Sequence, residues 1–299
     1  VIAAGIAHNY FMEVTDGAPN RPVLKIGQYP IPLRSLDRLF ASCERVLVLE
    51  EGYPYIEAKL RGFPRRTEPT VLGRLNGALP RTGELSPAAV AAALGLPDLP
   101  RRPGSSVLSS RPPALCPGCP HADTCRAIVD ALAPHRTAGR VFSDIGCYSL
   151  GALPPYRAID TCIEMGASIT MAKGAADGGL RPAVALIGDS TFTHSGMTGL
   201  LDCVTEGAPV TIVIVDNLTV AMTGGQPSAA RDRLERISEG IGVDPRHIRV
   251  IEPHPKRHAE FVALLAEEIA HDGPSVVIAR RECIQTARRG IRRTEGGAE

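Results

Sequence analysis

Two short apolar runs dominate the pattern of the C-terminal half: AVALIG at 183–188 and VTIVIV ending at Val215. Runs rich in β-branched residues and without polar alternation predict parallel strands covered on both faces. Between them Met197, Leu200, Leu201 and Val204 recur at helical spacing, which predicts a crossover helix from near Gly196 to Gly207. The resulting βαβ unit puts Asp189 and Asn217 at the carboxyl ends of its two strands. Neighbouring strands lie about 4.8 Å apart, and open parallel sheets bind ligands at those ends. The two side chains are therefore placed to reach one small ion. Two oxygen ligands leave most of a magnesium octahedron to water and phosphate oxygens, so the pair points to a phosphorylated cofactor or substrate.

The pattern elsewhere divides the chain. Residues 1–63 alternate VIAAGIA, VLKIG and VLVLEEG with a helix through Leu33, Leu36, Leu39 and Phe40, predicting a small α/β domain whose start is expected to be incomplete. Its His8 has no assigned role, and Glu50 and Glu51 are expected to be surface groups or helix contacts. Residues 64–113 turn to Pro, Gly and Arg as linker chemistry, broken by a short helix bracketed by Ser86, Pro87 and Gly95. Residues 114–285 read as a second α/β domain. It opens on LCPGCPHADTC, runs through a helix from about His121 to Ala133 and a strand leading to Asp144, and ends in PSVVIARREC at Cys283. Helices are also predicted at 231–240 and 257–271. Its Gly-rich turn around Met165 and Gly166 suits a backbone approach to phosphate or a ring, although Gly-Ala runs also serve helix packing. The loop LTVAMTGGQPS is built to wrap a ligand, and residues 286–299 are expected to be a solvated basic tail.

Composition narrows the chemistry. The 299 residues carry a formal net charge of +1, 4% aromatics and no Trp, which argues against a nucleic-acid surface. No apolar run is long enough to span a membrane. The start at Val1, without a basic leader, reads as a fragment or processed subunit of a cytoplasmic protein. In that compartment eight cysteines point to metal or redox chemistry before disulfides. Cys43, Cys125, Cys162 and Cys203 fall in helical or buried patterns and are expected to pack. His194, directly after the metal aspartate, is the candidate histidine for substrate or phosphate, or else a structural residue at a helix start. No side chain is confidently catalytic.

The sequence GDS, then twenty-five residues, then DN at Asp216 and Asn217 resembles the thiamine diphosphate signature. With CPGCPH, SDIGCYSLG, EMGAS, GDSTFTHSG and DNLTVAMTGGQP, residues 116–227 resemble the 2-oxoacid:ferredoxin oxidoreductases, and within them the large subunit of indolepyruvate ferredoxin oxidoreductases. More loosely, residues 1–63 resemble a transketolase C-terminal-like domain. The resemblance implies an α/β thiamine diphosphate-binding fold, a parallel sheet flanked by helices. It implies that Asp189, Asn217 and the Thr219 carbonyl hold Mg2+. Ser190, Thr191, Met222 and Thr223 would line the diphosphate, Gly146, Cys147, Met165 and Gly166 would approach the rings, and Gly188 would join the cofactor-binding set. It also implies a 4Fe-4S cluster on Cys116, Cys119, Cys147 and Cys283, where zinc or free thiols remain open. The activity implied is oxidative decarboxylation of an arylpyruvate-like 2-oxo acid to an acyl-CoA, with electrons passing to ferredoxin. A non-oxidative thiamine lyase or a non-catalytic cofactor-holding subunit are the alternatives. The chain lacks sequence matching the pyrimidine-binding domain that carries the activating glutamate, and the tandem ferredoxin segment of such large subunits. A second subunit or a missing domain is therefore expected to complete the site.

Overall fold

The computed structural model describes residues 1–62, 69–97, 104–135 and 139–288. The chain divides into two compact units between Ser109 and Ser110. Most of the predicted basic tail, and parts of the Arg-rich linker, lie outside the described residues.

The first unit is a parallel sheet of β1 (Ile2–Ala4), β2 (Leu24–Ile26), β3 (Arg45–Leu49) and β4 (Thr70–Leu72) in the order β2-β1-β3-β4. Helices α1 (Ile6–Val14), α2 (Leu33–Ala41), α3 (Tyr55–Arg61) and α4 (Pro87–Ala93) accompany it. Successive strand residues serve opposite cores: Ala3, Leu47 and Leu49 pack with Phe11 and Val90, while Ile2, Val46 and Val48 pack with Leu36 and Ile56. Glu50, at the end of β3, is buried and accepts the amides of Ile56 and Glu57 at 2.8 and 2.9 Å. It thus caps the first turn of α3, and burial raises its pKa.

The second unit contains a six-stranded, wholly parallel sheet. Its strands are β5 (Arg140–Ser143), β6 (Thr161–Cys162), β7 (Ala183–Gly188), β8 (Val210–Asp216), β11 (Ile248–Ile251) and β12 (Ser275–Arg280), and β9 (Thr219–Val220) and β10 (Gln226–Pro227) form a separate antiparallel pair. The order is β11-β12-β8-β7-β5-β6. Its helices are α5 (Pro120–Ala131), α6 (Ala167–Asp177), α7 (Asp189–Thr191), α8 (Met197–Glu206), α9 (Leu234–Ile241) and α10 (His258–Ile269).

The continuous apolar runs have the cause assigned to them. Ala183, Ala185, Ile187, Ile212 and Ile214 enter one core with α6 and α8, while Val184, Leu186, Val213 and Val215 enter the other with α5 and α10. Every residue of β7 and β8 is buried. At about 25 cal/mol per Å2, each Val, Leu or Ile so covered contributes roughly 1.5–3 kcal/mol before chain entropy is subtracted. Among the described residues no helix is long and apolar enough to cross a membrane.

The crossover helix starts earlier than its apolar pattern predicts. α7 opens on Asp189 and runs through a π-helical turn (Phe192–Gly196) into α8 without a break. A Cβ on Gly196 would lie 2.7 Å from Ile187 Cδ1, and one on Gly199 would lie 3.2 Å from Ile169. These glycines let the helix press against β7 and α6. Within α8, Leu200 and Cys203 are buried while Leu201, expected inward, is 51% exposed.

Candidate functional site

Chain ends of β5, β7, β8 and β12 meet on one edge of the sheet, and the residues that follow them build the site. Asp144, after β5, is fully buried. Its carboxylate accepts the Tyr148 hydroxyl, Ser168 Oγ at 2.6 Å and the Gly166 amide at 3.2 Å. Burial raises its pKa, and these donors oppose the rise. The Tyr148 hydroxyl also lies 3.3 Å from Thr191 Oγ1. Burial and the neighbouring Asp144 push the phenol's pKa upward, so it stays a donor. The Tyr148 ring occupies the space that a Cβ on Gly146 would enter, and a Cβ on Gly188 would stand 2.6 Å from its Cε1. The two glycines thus leave room for one aromatic ring beside two strand ends.

Asp189 is 4% exposed, and its Oδ2 is one of two buried side-chain polar atoms without a partner among the described residues. Burial drives its pKa up to about 6, with the Ser190 amide and Ser228 hydroxyl working against the rise and Asp216 adding to it. Across β8, Asn217 Oδ1 accepts the Thr219 amide at 3.2 Å, and its Nδ2 lies 3.3 Å from His121 Nε2. His121 is wholly buried, which lowers its pKa to about 4, with Arg281 contributing. It stands edge-on to Tyr148, the ring centroids 6.0 Å apart.

These groups border a cavity of about 250 Å3. Of the residues singled out from the sequence, Asp189, Asn217 and Thr219 line it. So do Gly188, Ser190, Thr191, Met222 and Thr223, as well as Gly146, Cys147 and Met165. Gly166 does not. It caps α6 with a φ of +92° and gives its amide to Asp144. His194 does not line the cavity either. It is exposed, with Nδ1 2.9 Å from Ser195 Oγ, and that hydroxyl donates to the Met165 carbonyl at 2.7 Å. Sequence reasoning gave no site role to His121, Tyr148 or Asp144. The motif CPGCPH is the only local signal that would have drawn attention to the first.

The four cysteines approach one another at the same strand ends. Cys119 is buried and its thiol is pushed up to about 11 by burial, with Cys116 and Cys283 adding to the rise. Cys147 is raised by burial, then by Cys283 and Cys116. Gln285 Nε2 donates to Cys116 Sγ at 3.4 Å. Arg281 donates to the Gly118 carbonyl at 2.9 Å and pairs with Asp123 at 3.0 Å, tying the CxxC turn to the end of β12. Among the described residues no set of three or more His, Cys, Asp or Glu side chains is drawn to metal-ligand geometry. Cys125 and Cys203 are buried, their thiols pushed up to about 12. Cys43 is half-buried and packs in the first unit's core. Cys162, expected to pack, is exposed, because β6 is a two-residue edge strand, and its Sγ sits 3.3 Å from the Asp144 carbonyl.

The arrangement fits a divalent cation on physical grounds. A buried carboxylate with one unpartnered oxygen follows β7, an amide oxygen follows the adjacent strand β8, and a helix begins at Asp189. The helix start favours an anion next to the ion.

Comparison with known proteins points to a thiamine pyrophosphate cofactor. Residues 144–279 match the family described as "Thiamine pyrophosphate enzyme, C-terminal TPP binding domain". The chain is 34% identical to the indolepyruvate oxidoreductase subunit IorA of Archaeoglobus fulgidus over 95% of its length and 48% of that subunit's. It is 33% identical to the same subunit of Pyrococcus abyssi, over 95% of its length and 49% of the relative's. The chain thus spans about half the length of the relatives it matches. Among solved structures, the 2-oxoglutarate:ferredoxin oxidoreductase from Magnetococcus marinus aligns with 58% of this chain and 66% of its own, with a TM-score of 0.48 and 18% identity. Residues 144–279 thus match the C-terminal cofactor-binding domain of thiamine pyrophosphate enzymes, and the chain is a homologue of the indolepyruvate oxidoreductase IorA subunits.

Proposed function

We propose that this chain supplies the diphosphate-binding half of a thiamine diphosphate site. The enzyme would oxidatively decarboxylate an arylpyruvate-like 2-oxo acid, indolepyruvate being the type named by its relatives. The observation that carries this reading is Asp189 Oδ2, buried and unpartnered at the end of β7, one strand away from Asn217. Asp189, Asn217 and the Thr219 carbonyl hold Mg2+ in this reading. The amides at the start of α7, with Ser190, Thr191 and Thr223, take the diphosphate. Gly146 and Gly188 leave room for the Tyr148 ring, Met222 lies beside the diphosphate, and Met165 approaches the organic rings. When bound, thiamine diphosphate supplies the electron sink that stabilises negative charge left by loss of CO2. The chain's residues bind, orient and screen it.

In the overall reaction one 2-oxo acid and one coenzyme A thiol give an acyl-CoA, CO2 and a proton. Two electrons leave, one to each of two ferredoxins. Cys116, Cys119, Cys147 and Cys283 are the thiols assigned to a 4Fe-4S cluster that would pass electrons singly. The pyrimidine-side glutamate comes from a partner subunit or from sequence beyond this chain.

Titration calorimetry with thiamine diphosphate in Mg2+, repeated in EDTA, tests the cofactor assignment. Saturable binding lost with the ion is expected, and binding indifferent to EDTA would overturn it. Iron and acid-labile sulfide analysis after anoxic purification tests the redox half. Absence of both, with decarboxylation intact in the assembled enzyme, would replace this reading by a non-oxidative lyase.

A further inference from the structure

The amide of Asn217 has two ends of nearly the same shape, and only one of them is a metal ligand. Its orientation must therefore be enforced by its neighbours. At one end the Thr219 N–H, 3.2 Å away, demands an oxygen. At the other end His121 Nε2 lies 3.3 Å from Nδ2. An amide N–H donates only to an unprotonated ring nitrogen, which puts the imidazole proton on Nδ1. A flipped amide would set N–H against the Thr219 N–H and turn an amino group toward the cation. His121 is itself held: it is 4% exposed, sits in the first turn of α5, and stands edge-on to Tyr148.

We propose that His121 is a positioning residue for the cation site, fixing the Asn217 amide with Oδ1 turned toward the ion. The proposal rests on the magnesium–diphosphate reading given above. It has a structural consequence, because His121 directly follows Cys119-Pro120, and the Cys283 N–H donates to the Asn217 backbone carbonyl at 3.1 Å. Asn217 is thus gripped by the CxxC segment through its side chain and by the segment after β12 through its backbone. The thiol-bearing segments and the cation site share one residue, so disordering the former loosens the latter.

The test uses the whole chain, with Mg2+ and thiamine diphosphate as probes. At saturating thiamine diphosphate the Mg2+ concentration for half-occupancy is read for wild type, His121→Phe and His121→Gln. Loss of a partner that orients a metal ligand costs about 10–100-fold in metal affinity. His121→Phe is expected to raise the half-saturating Mg2+ at least tenfold, while His121→Gln, whose Oε1 can accept from Nδ2, stays within about threefold of wild type. A purely structural histidine would weaken both variants alike. In an Asn217→Asp background His121→Phe should cost little Mg2+ affinity, because a carboxylate has no wrong end.

Unchanged Mg2+ dependence in His121→Phe, a fall in His121→Gln as large as in His121→Phe, or a full penalty in the Asn217→Asp background would each overturn the proposal. Should His121→Phe not fold, His121→Gln decides: near-wild-type Mg2+ dependence supports the proposal and a tenfold loss overturns it. Failure of the wild-type chain to bind Mg2+ with thiamine diphosphate would sink the underlying reading instead, which keeps the two failures distinct.

Discussion

Replacing Asp189 by Asn separates stability from function in opposite directions. Burial raises this carboxyl from 3.8 to about 6 in the folded chain. Each pKa unit corresponds to about 1.36 kcal/mol, so the ionised, cation-free fold carries a penalty on the order of 3 kcal/mol. The sign follows from the direction of the shift. Below about pH 3.8 the group is protonated in both folded and unfolded chains and there is no cost. As pH rises through 6 the full cost develops and persists at pH 7.5. An Asn side chain never ionises. Allowing about 1 kcal/mol for the hydrogen bonds that a neutral amide makes less well, the cation-free variant should be more stable at pH 7.5 by roughly 2 kcal/mol. For a folding unit of 150–250 residues that is roughly 4–8 °C in Tm. The gap should close as pH falls toward 4. Adding Mg2+ and thiamine diphosphate at about a hundred times the dissociation constant should stabilise wild type by roughly 2.7 kcal/mol and leave the variant unmoved. Differential scanning fluorimetry at two pH values, with and without the cofactor pair, reads all four states. A variant that melts below cation-free wild type at pH 7.5, or that responds to the cofactor as wild type does, would refute the reasoning.

Three further outcomes are expected. Gly146→Ala drives a methyl group into the Tyr148 ring, so the ring must shift into the cavity. Thiamine diphosphate affinity measured by calorimetry should fall at least about tenfold while the circular dichroism spectrum is kept. Tyr148→Phe takes a donor from the buried Asp144 carboxylate and should cost about 1–3 kcal/mol in urea unfolding, the range for stranding a buried polar group. Alkylation with iodoacetamide at pH 8, followed by mass spectrometry, should reach the exposed Cys162 in the native chain. It should spare Cys125 and Cys203 until denaturant is added, because both are buried and their thiols are pushed up to about 12.

The parts of the fold legible in the sequence were those set by local pattern. β7 and β8 are continuous apolar runs because each faces two cores, and the carboxyl ends of such strands locate Asp189 and Asn217 without further information. Contacts that join distant segments were not legible. His121 lies 96 positions from Asn217, and nothing in CPGCPH shows that the histidine turns toward that amide. Asp144 holds Ser168 across 24 positions, a link that only the packing of α6 against β5 creates. His194 follows Asp189 closely in sequence, but it lies in the π turn and its side chain is exposed. The π turn was equally hidden, since the apolar stripe that marks α8 starts only at Met197, after α7 and the π turn.

Comparison among the buried carboxylates isolates Asp189. Asp144 is met by three donors. Asp216 is held by Arg280 at 2.6 Å, Glu50 by two backbone amides, and Glu268 by Arg249 at 3.0 Å and His247 at 2.9 Å. Each of these acids is part of a completed structural contact, and neutralising it strands its partners. Glu268→Gln, which weakens the bonds of a buried carboxylate to the partly exposed Arg249 and His247, should destabilise by about 1–3 kcal/mol. Asp189 alone among them keeps an oxygen without a partner, so its neutralisation weakens only the bonds from the Ser190 amide and Ser228 hydroxyl and relieves a charge. The two variants should therefore move Tm in opposite directions in the cation-free protein. That opposition is what a binding carboxylate predicts and a scaffold carboxylate does not. If both variants fell together, Asp189 would have to be read as scaffold, and the cation would have to be sought elsewhere on the sheet edge.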